Sequence, residues 1–152
     1  MTSEEKIAVL ERKIKALQMA YAGALADSTL RYGRAGILDA VTEQKRDEQM
    51  KTAAAMAQRF GVTEPKQAFV NVQDMFGCAD WVYEDTEAGF TATCTNCMLQ
   101  ALCKKTGADS PCLLYCLSPL EATIKGVSPD AEFVIEKTLW NDARCEVKVS
   151  YR

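Results

Sequence analysis

The apolar residues of this chain change their spacing at one point, and that change limits the folds it can adopt. Up to Gly77 they recur every three or four residues, as in helices that bury one face. From Cys78 onward they alternate with polar residues, as in Phe90, Ala92 and Cys94, which is typical of half-buried strands. The chain is therefore predicted to form helices first and a sheet later, which is an α+β fold.

Residues 1–61 contain neither proline nor cysteine and are predicted to be a helical part. Thr2 and Glu5 have the spacing of a capping box, and a long helix follows them. A second helix is predicted over residues 35–59, with Gly61 as its C-cap.

One face of the first helix carries an apolar stripe. Its residues are Ile7, Leu10, Ile14, Leu17, Tyr21 and Ala24. Their spacing fits a heptad repeat over a short run. Either this helix docks on its own domain or it pairs with a second subunit, which would make the protein a homodimer.

Residues 62–152 are predicted to form a cysteine-rich α+β part that belongs to one domain with the helical part. Thr63 is predicted to cap a third helix, and a hairpin is predicted to turn at residues 85–89. Short helices are predicted over residues 96–106 and after Pro111, and another after the N-cap Ser118.

A second hairpin closes the chain, which makes four antiparallel strands in total. Phe133 and Ile135 share one face of its first strand, and Cys145, Val147 and Val149 share one face of its second. The complete pattern is three N-terminal helices, short helices and a four-stranded antiparallel sheet.

The cysteines are concentrated in one stretch, because five of the seven lie between residues 94 and 116. They are Cys94, Cys97, Cys103, Cys112 and Cys116. Together they offer enough thiolates for a four-cysteine zinc or iron–sulfur site. The set has only one C-x-x-C pair, so small buried thiols are the competing interpretation.

A nucleophilic thiol is the other chemical option, and the absence of histidine restricts how it could work. Cys97 and Cys116 lie near predicted helix starts, where the helix dipole favours a thiolate. Asp80 and Glu84 are the candidate general bases, although solvated carboxylates are the simpler explanation of each. Activation would come from helix dipoles or from a nearby cation such as Lys104.

Charge and hydropathy restrict the partners. The net charge is −3 and the pI is near 5.1, which argues against a nucleic-acid partner. No apolar run reaches the length of a membrane span, and the N-terminus lacks a secretory core. We expect a cytoplasmic protein with reduced cysteines that binds a small molecule.

The C-terminal part resembles a known family. The run from Cys116 to Val149, with its Gly126-Val127-Ser128-Pro129 turn and the segment leading into Cys145, is similar to the end of the L-2-amino-thiazoline-4-carboxylic acid hydrolases. The same run resembles the vinyl-reductase-like small-molecule-binding domains.

The resemblance covers residues 62–150 and implies a hydrolase that opens a C=N bond of a cyclic amidine-like molecule. Two alternatives stay open. One is a vinyl-reductase-like sensor that binds a small molecule, a metal or an iron–sulfur cluster without turnover. The other is a thiol redox protein.

Overall fold

The structure, a computed structural model, describes residues 1–151. Its α-helices are α1 (Ser3–Arg34), α2 (Leu38–Lys51), α3 (Ala53–Arg59), α4 (Pro65–Phe76), α5 (Met98–Thr106) and α6 (Ser118–Val127). Its strands are β1 (Val82–Asp85), β2 (Gly89–Cys94), β3 (Glu132–Lys137) and β4 (Cys145–Ser150). A π-helical segment, Leu113–Leu117, leads directly into α6.

The predicted α+β fold with four antiparallel strands is confirmed. The strand order is β1-β2-β4-β3, so the two hairpins meet along β2 and β4 and every pairing is antiparallel. The register shifts between Ile135 and Lys137, and this irregularity explains the imperfect alternation in β3. The likeness to vinyl-reductase-like domains stays a prediction.

One face of the sheet carries the main core. Phe69 of α4 is fully buried there, with its ring centroid 4.9 Å from that of Trp81 and 5.7 Å from that of Phe90. Burial of a phenylalanine of this kind stabilises a fold by roughly 2–3 kcal/mol. Ala57 of α3 and Ile124 of α6 belong to the same cluster, so both the helical part and the cysteine-rich part contribute to it.

The first helix docks by its C-terminal half only. Its capping box is confirmed, with the Glu5 amide donating to Thr2 Oγ1 at 3.2 Å and the Thr2 amide donating to Glu5 Oε2 at 2.7 Å. The buried residues of α1 are Ala22, Ala26 and Thr29. Within the predicted apolar stripe, Tyr21 stacks on Phe76, whereas the side chains from Ile7 to Leu17 are exposed and do not dock on the domain to which the helix belongs.

Two of the predicted helix boundaries are wrong. The helix predicted over residues 35–59 is divided at Thr52 into α2 and α3. Thr63 does not cap α4, because its amide and its hydroxyl both donate to Gln67 Oε1, and Glu64 takes the N-cap position. Pro65 begins α4 as predicted, and Gly77 ends it in the left-handed conformation, with φ 62°.

The helix start predicted at Ser118 is also wrong. Ser118 has helical dihedral angles and is buried, because the π-helical segment already supplies the turn before it. Glu121 lies 3.2 Å from the Arg46 guanidinium of α2 instead of completing a capping box. Within residues 1–151, no helix has both the length and the apolar character required to cross a membrane.

Candidate functional site

A cavity of about 300 Å³ lies between the helical part and the cysteine-rich part. Its wall is mainly apolar and includes six aromatic side chains. They are Tyr21, Tyr32, Phe60, Phe76, Trp81 and Tyr115. This volume lies at the lower end of those found for small-molecule sites, so the cavity suits a ligand of few heavy atoms.

Three cysteines line this cavity, namely Cys78, Cys97 and Cys116. Cys78 follows the end of α4, and its carbonyl accepts a 2.8 Å hydrogen bond from the Met98 amide. Ala79 and Cys97 form an isolated antiparallel bridge. These backbone contacts bring the Cys78 segment against the start of α5, so two thiols far apart in sequence meet at one wall.

The π-helical segment brings the third thiol to the cavity. A π-helical turn inserts one residue relative to an α-helix, which rotates the following side chains, and such turns are frequent at functional sites. Leu114, Tyr115 and Cys116 all line the cavity. A 2.6 Å hydrogen bond between the Tyr115 hydroxyl and Ser28 Oγ ties this segment to α1.

Cys97 differs from the other cavity thiols by its position at a helix start. It is the N-cap residue of α5, with extended backbone angles of φ −142° and ψ 116°. The amides of Leu99 and Gln100 lower the pKa of its thiol, whereas burial, the larger effect, raises it. The sulfur does not make a full side-chain cap, so these amides remain open to a negative charge that develops on it.

The other two cavity thiols lack this compensation. Burial raises the pKa of Cys78 to about 11, and it raises the pKa of Cys116 well above the ordinary value. The neighbouring Cys97 thiol raises both pKa values further. Cys78 and Cys116 are therefore neutral S–H groups at physiological pH.

The polar groups of the wall are few. Gln49 Oε1 is buried and has no hydrogen-bond partner among residues 1–151, although it lines the cavity. Lys45 is the charged side chain among the described lining residues. Its ammonium lies 3.7 Å from Glu48 Oε2 and is exposed, which places it at the mouth. The Gln49 acceptor inside the cavity and the Lys45 cation at its entrance suit a ligand that carries N–H groups and an acidic group.

The remaining candidate cysteines lie outside the cavity wall. Cys94 and Cys145 are buried neighbours across β2 and β4, and the Cys94 thiol donates to the Asn96 carbonyl at 2.9 Å. Cys103 is fully buried between α1 and α5. Cys112 is partly buried, and its amide donates to Ser110 Oγ at 3.3 Å.

The two candidate bases and the predicted metal ligands are not gathered at one place. Asp80 and Glu84 are exposed and do not belong to the cavity wall. In the part of the chain that the structure describes, no three Cys, Asp or Glu side chains form a group that could hold a metal ion. The catalytic and metal-binding roles assigned from the sequence stay predictions.

The contribution of the helical part to the site is not evident from the sequence. The charged run over residues 42–51 has the appearance of a solvated face, yet Lys45 and Gln49 belong to it and line the cavity. Cys78 has the appearance of a structural thiol in the sequence. However, Cys78 directly follows Gly77, where α4 ends in an αL turn. A glycine at that place in the sequence indicates that the chain changes direction there.

Comparison with known proteins agrees with the resemblance seen in the sequence. No curated protein and no solved structure gives a significant match. The family model described as L-2-amino-thiazoline-4-carboxylic acid hydrolase matches residues 11–148, which include α2 to α6, strands β1 to β3 and most of β4. The chain therefore belongs to the L-2-amino-thiazoline-4-carboxylic acid hydrolase family.

Proposed function

We propose that this protein hydrolyses a small cyclic amidine by opening the ring at its C=N carbon, with Cys97 as the nucleophile. One observation carries the proposal. Cys97 is the cavity thiol that lies at the N-terminus of a helix, where backbone amides stabilise a developing thiolate. Membership in the family indicates the class of reaction, and the volume of the cavity limits the size of the substrate.

The polar groups of the cavity suit such a substrate. An amidine carries N–H donors, and the unpaired Gln49 Oε1 is an acceptor that needs one. The compound in the family description also carries a carboxylate, which the Lys45 ammonium at the mouth would attract. The aromatic walls would exclude water from the reacting carbon.

The proton transfer in this reaction does not require a histidine. The Cys97 sulfur adds to the carbon of the C=N bond, and the thiol proton moves to the substrate nitrogen. The C=N bond then re-forms as the bond from that carbon to the other ring heteroatom breaks, and the proton released from the nitrogen goes to the departing heteroatom. One water then adds to the same carbon and expels Cys97 as its thiol, which leaves a carbonyl group in the product. Because the substrate nitrogen accepts the proton, a raised thiol pKa is compatible with the first step.

Reduced cysteines are a requirement of this mechanism. All seven are free in the structure, and a thiolate would be lost to oxidation in a secreted protein. We therefore propose a cytoplasmic location.

One observation favours a second candidate function, which is small-molecule binding without turnover. Burial raises the pKa of each cavity thiol, so the resting site holds neutral sulfur atoms. A sensor domain would need the cavity and its polar groups but no nucleophile.

The test uses L-2-amino-thiazoline-4-carboxylate as the probe, with binding followed by calorimetry and ring opening followed by mass spectrometry. We expect Cys97→Ser to lower kcat/KM by at least about a hundred-fold, because the hydroxyl is a far weaker nucleophile. Cys112→Ser is the matched control, since Cys112 is partly buried but does not line the cavity. Full turnover by Cys97→Ser would disprove the nucleophile, and binding without product would favour the sensor.

A further inference from the structure

The N-terminal half of α1 projects from the domain with its apolar stripe uncovered. The exposed fractions are 54% for Ile7, 56% for Leu10, 51% for Ile14 and 70% for Leu17. Four large apolar side chains on one helix face form a contiguous patch, which marks an interaction site more often than isolated exposed residues do.

Contact with the domain begins immediately after this stripe. Gln18 Nε2 donates to the Met75 carbonyl at 3.0 Å, and the Tyr21 ring stacks on Phe76 with centroids 5.1 Å apart. The helix is continuous from Ser3 to Arg34, so its free half is held as a rigid extension of the docked half.

The residue types along the stripe indicate which kind of partner covers it. With Ile7 at heptad position a, the run from Ile7 to Leu17 has isoleucine at each a position, Ile7 and Ile14, and leucine at each d position, Leu10 and Leu17. In parallel coiled coils, β-branched residues at a combined with leucine at d favour two strands over three or four. The stripe therefore has the composition of a parallel dimer seam.

The flanking charges agree with that orientation. Lys6 and Lys13 take g positions and Glu11 takes an e position. In a parallel pair, Lys6 of one chain lies beside Glu11 of the other, which is attractive. In an antiparallel pair, Glu11 would face its own copy and Lys13 would face its own copy, which is repulsive.

We infer that residues 3–17 pair with a second copy of this chain as a parallel two-stranded coiled coil. The two domains then lie side by side at the same end of the coil. Met75, which is 48% exposed and adjoins Gln18, extends the apolar surface toward the partner. Tyr21 lies one helical turn after Leu17 and lines the cavity, so the dimer seam ends close to the candidate active site.

The first test measures the mass of the full-length protein by analytical ultracentrifugation over a wide range of concentration. We expect a dimer, and we expect Leu10→Glu with Leu17→Glu to raise its dissociation constant at least about a hundred-fold. The matched control is Ala8→Glu with Ala16→Glu, which adds the same charge on the exposed outer face and should remain dimeric. Near-ultraviolet circular dichroism of Trp81 and Trp140 checks that the domain stays folded.

A second test addresses orientation by charge reversal. Lys6→Glu alone and Glu11→Lys alone should each weaken the dimer, and an equimolar mixture of the two variants should restore it as a heterodimer. A wild-type protein that is monomeric throughout, or a dimer that Leu10→Glu with Leu17→Glu leaves intact, would overturn the inference. A mixture no tighter than its components would overturn the parallel arrangement.

Discussion

At the scale of single residues, burial controls the chemistry of the cysteines. It raises the pKa of Cys78, Cys103 and Cys145 to about 11, against an ordinary value of 9.0. The amides at the start of α5 oppose this effect at Cys97. All seven thiols belong to the same residue type, so differences in their protonation result from where the fold places each one.

These pKa values predict how stability depends on pH. As pH rises above about 9, the unfolded chain loses thiol protons that the folded chain keeps until about 11. The unfolded state is stabilised in that interval, so the contribution of these thiols to the free energy of unfolding should be constant below it and fall across it. Urea unfolding under reducing conditions at a series of pH values measures this.

Cys103→Ser provides the control for the pH prediction. It removes one of the buried titrating groups and keeps the size of the side chain, so the fall in stability between pH 9 and pH 11 should be shallower. An unchanged slope in this variant would show that other groups cause the effect.

At the scale of elements, close packing of two helices depends on one small residue. A Cβ added at Gly126 of α6 would collide with the backbone carbonyl of Ala53 at the start of α3. Backbone atoms cannot move aside as a flexible side chain can. The approach of these helices fixes the part of the wall formed by Met56 and Phe60 on one side and Leu120 and Thr123 on the other.

We therefore expect Gly126→Ala to lower the free energy of unfolding by about 1–3 kcal/mol, as measured by urea unfolding. Gly23→Ala is the matched control, because Gly23 also lies inside a helix and has no atom within 4 Å of an added Cβ. That change should raise stability by about 0.5–1 kcal/mol through helix propensity. Equal effects of the two substitutions would contradict the packing argument.

At the scale of the whole molecule, the helical part and the cysteine-rich part share one core and one cavity. Ala57 packs in the same cluster as Val147 and Val149 of β4, and the cavity wall takes residues from Tyr21 to Thr123. The core cluster and the cavity wall each take residues from both parts. This supports the prediction that residues 1–61 and 62–152 form one domain.

Chemical denaturation tests that prediction directly. Both tryptophans, Trp81 and Trp140, lie in the cysteine-rich part, whereas much of the helix lies in the first 61 residues. Transitions followed by tryptophan fluorescence and by far-ultraviolet circular dichroism should coincide, because a single domain unfolds in one step. An earlier loss of helix signal would indicate that the helical part unfolds separately.

The sequence by itself determined the local structure of this protein. Gly61, Gly77 and Gly107 adopt positive φ at helix ends, as their positions predict, and Thr2 forms its capping box. The period-two residues of β2 and β4 face the core. These features depend on backbone sterics and on neighbours a few residues away, so they can be recognised within a short window of sequence.

Only the tertiary structure decided the candidate site. The cavity is a space between elements that are up to a hundred residues apart, and no local pattern records which side chains surround such a space. Ser118 shows the same limit, because a good capping sequence becomes helix interior when the preceding segment is already helical. The placement of Cys78 and Cys97 in one cavity wall likewise follows from packing across the chain, as does the absence of a partner for Gln49 Oε1 among residues 1–151.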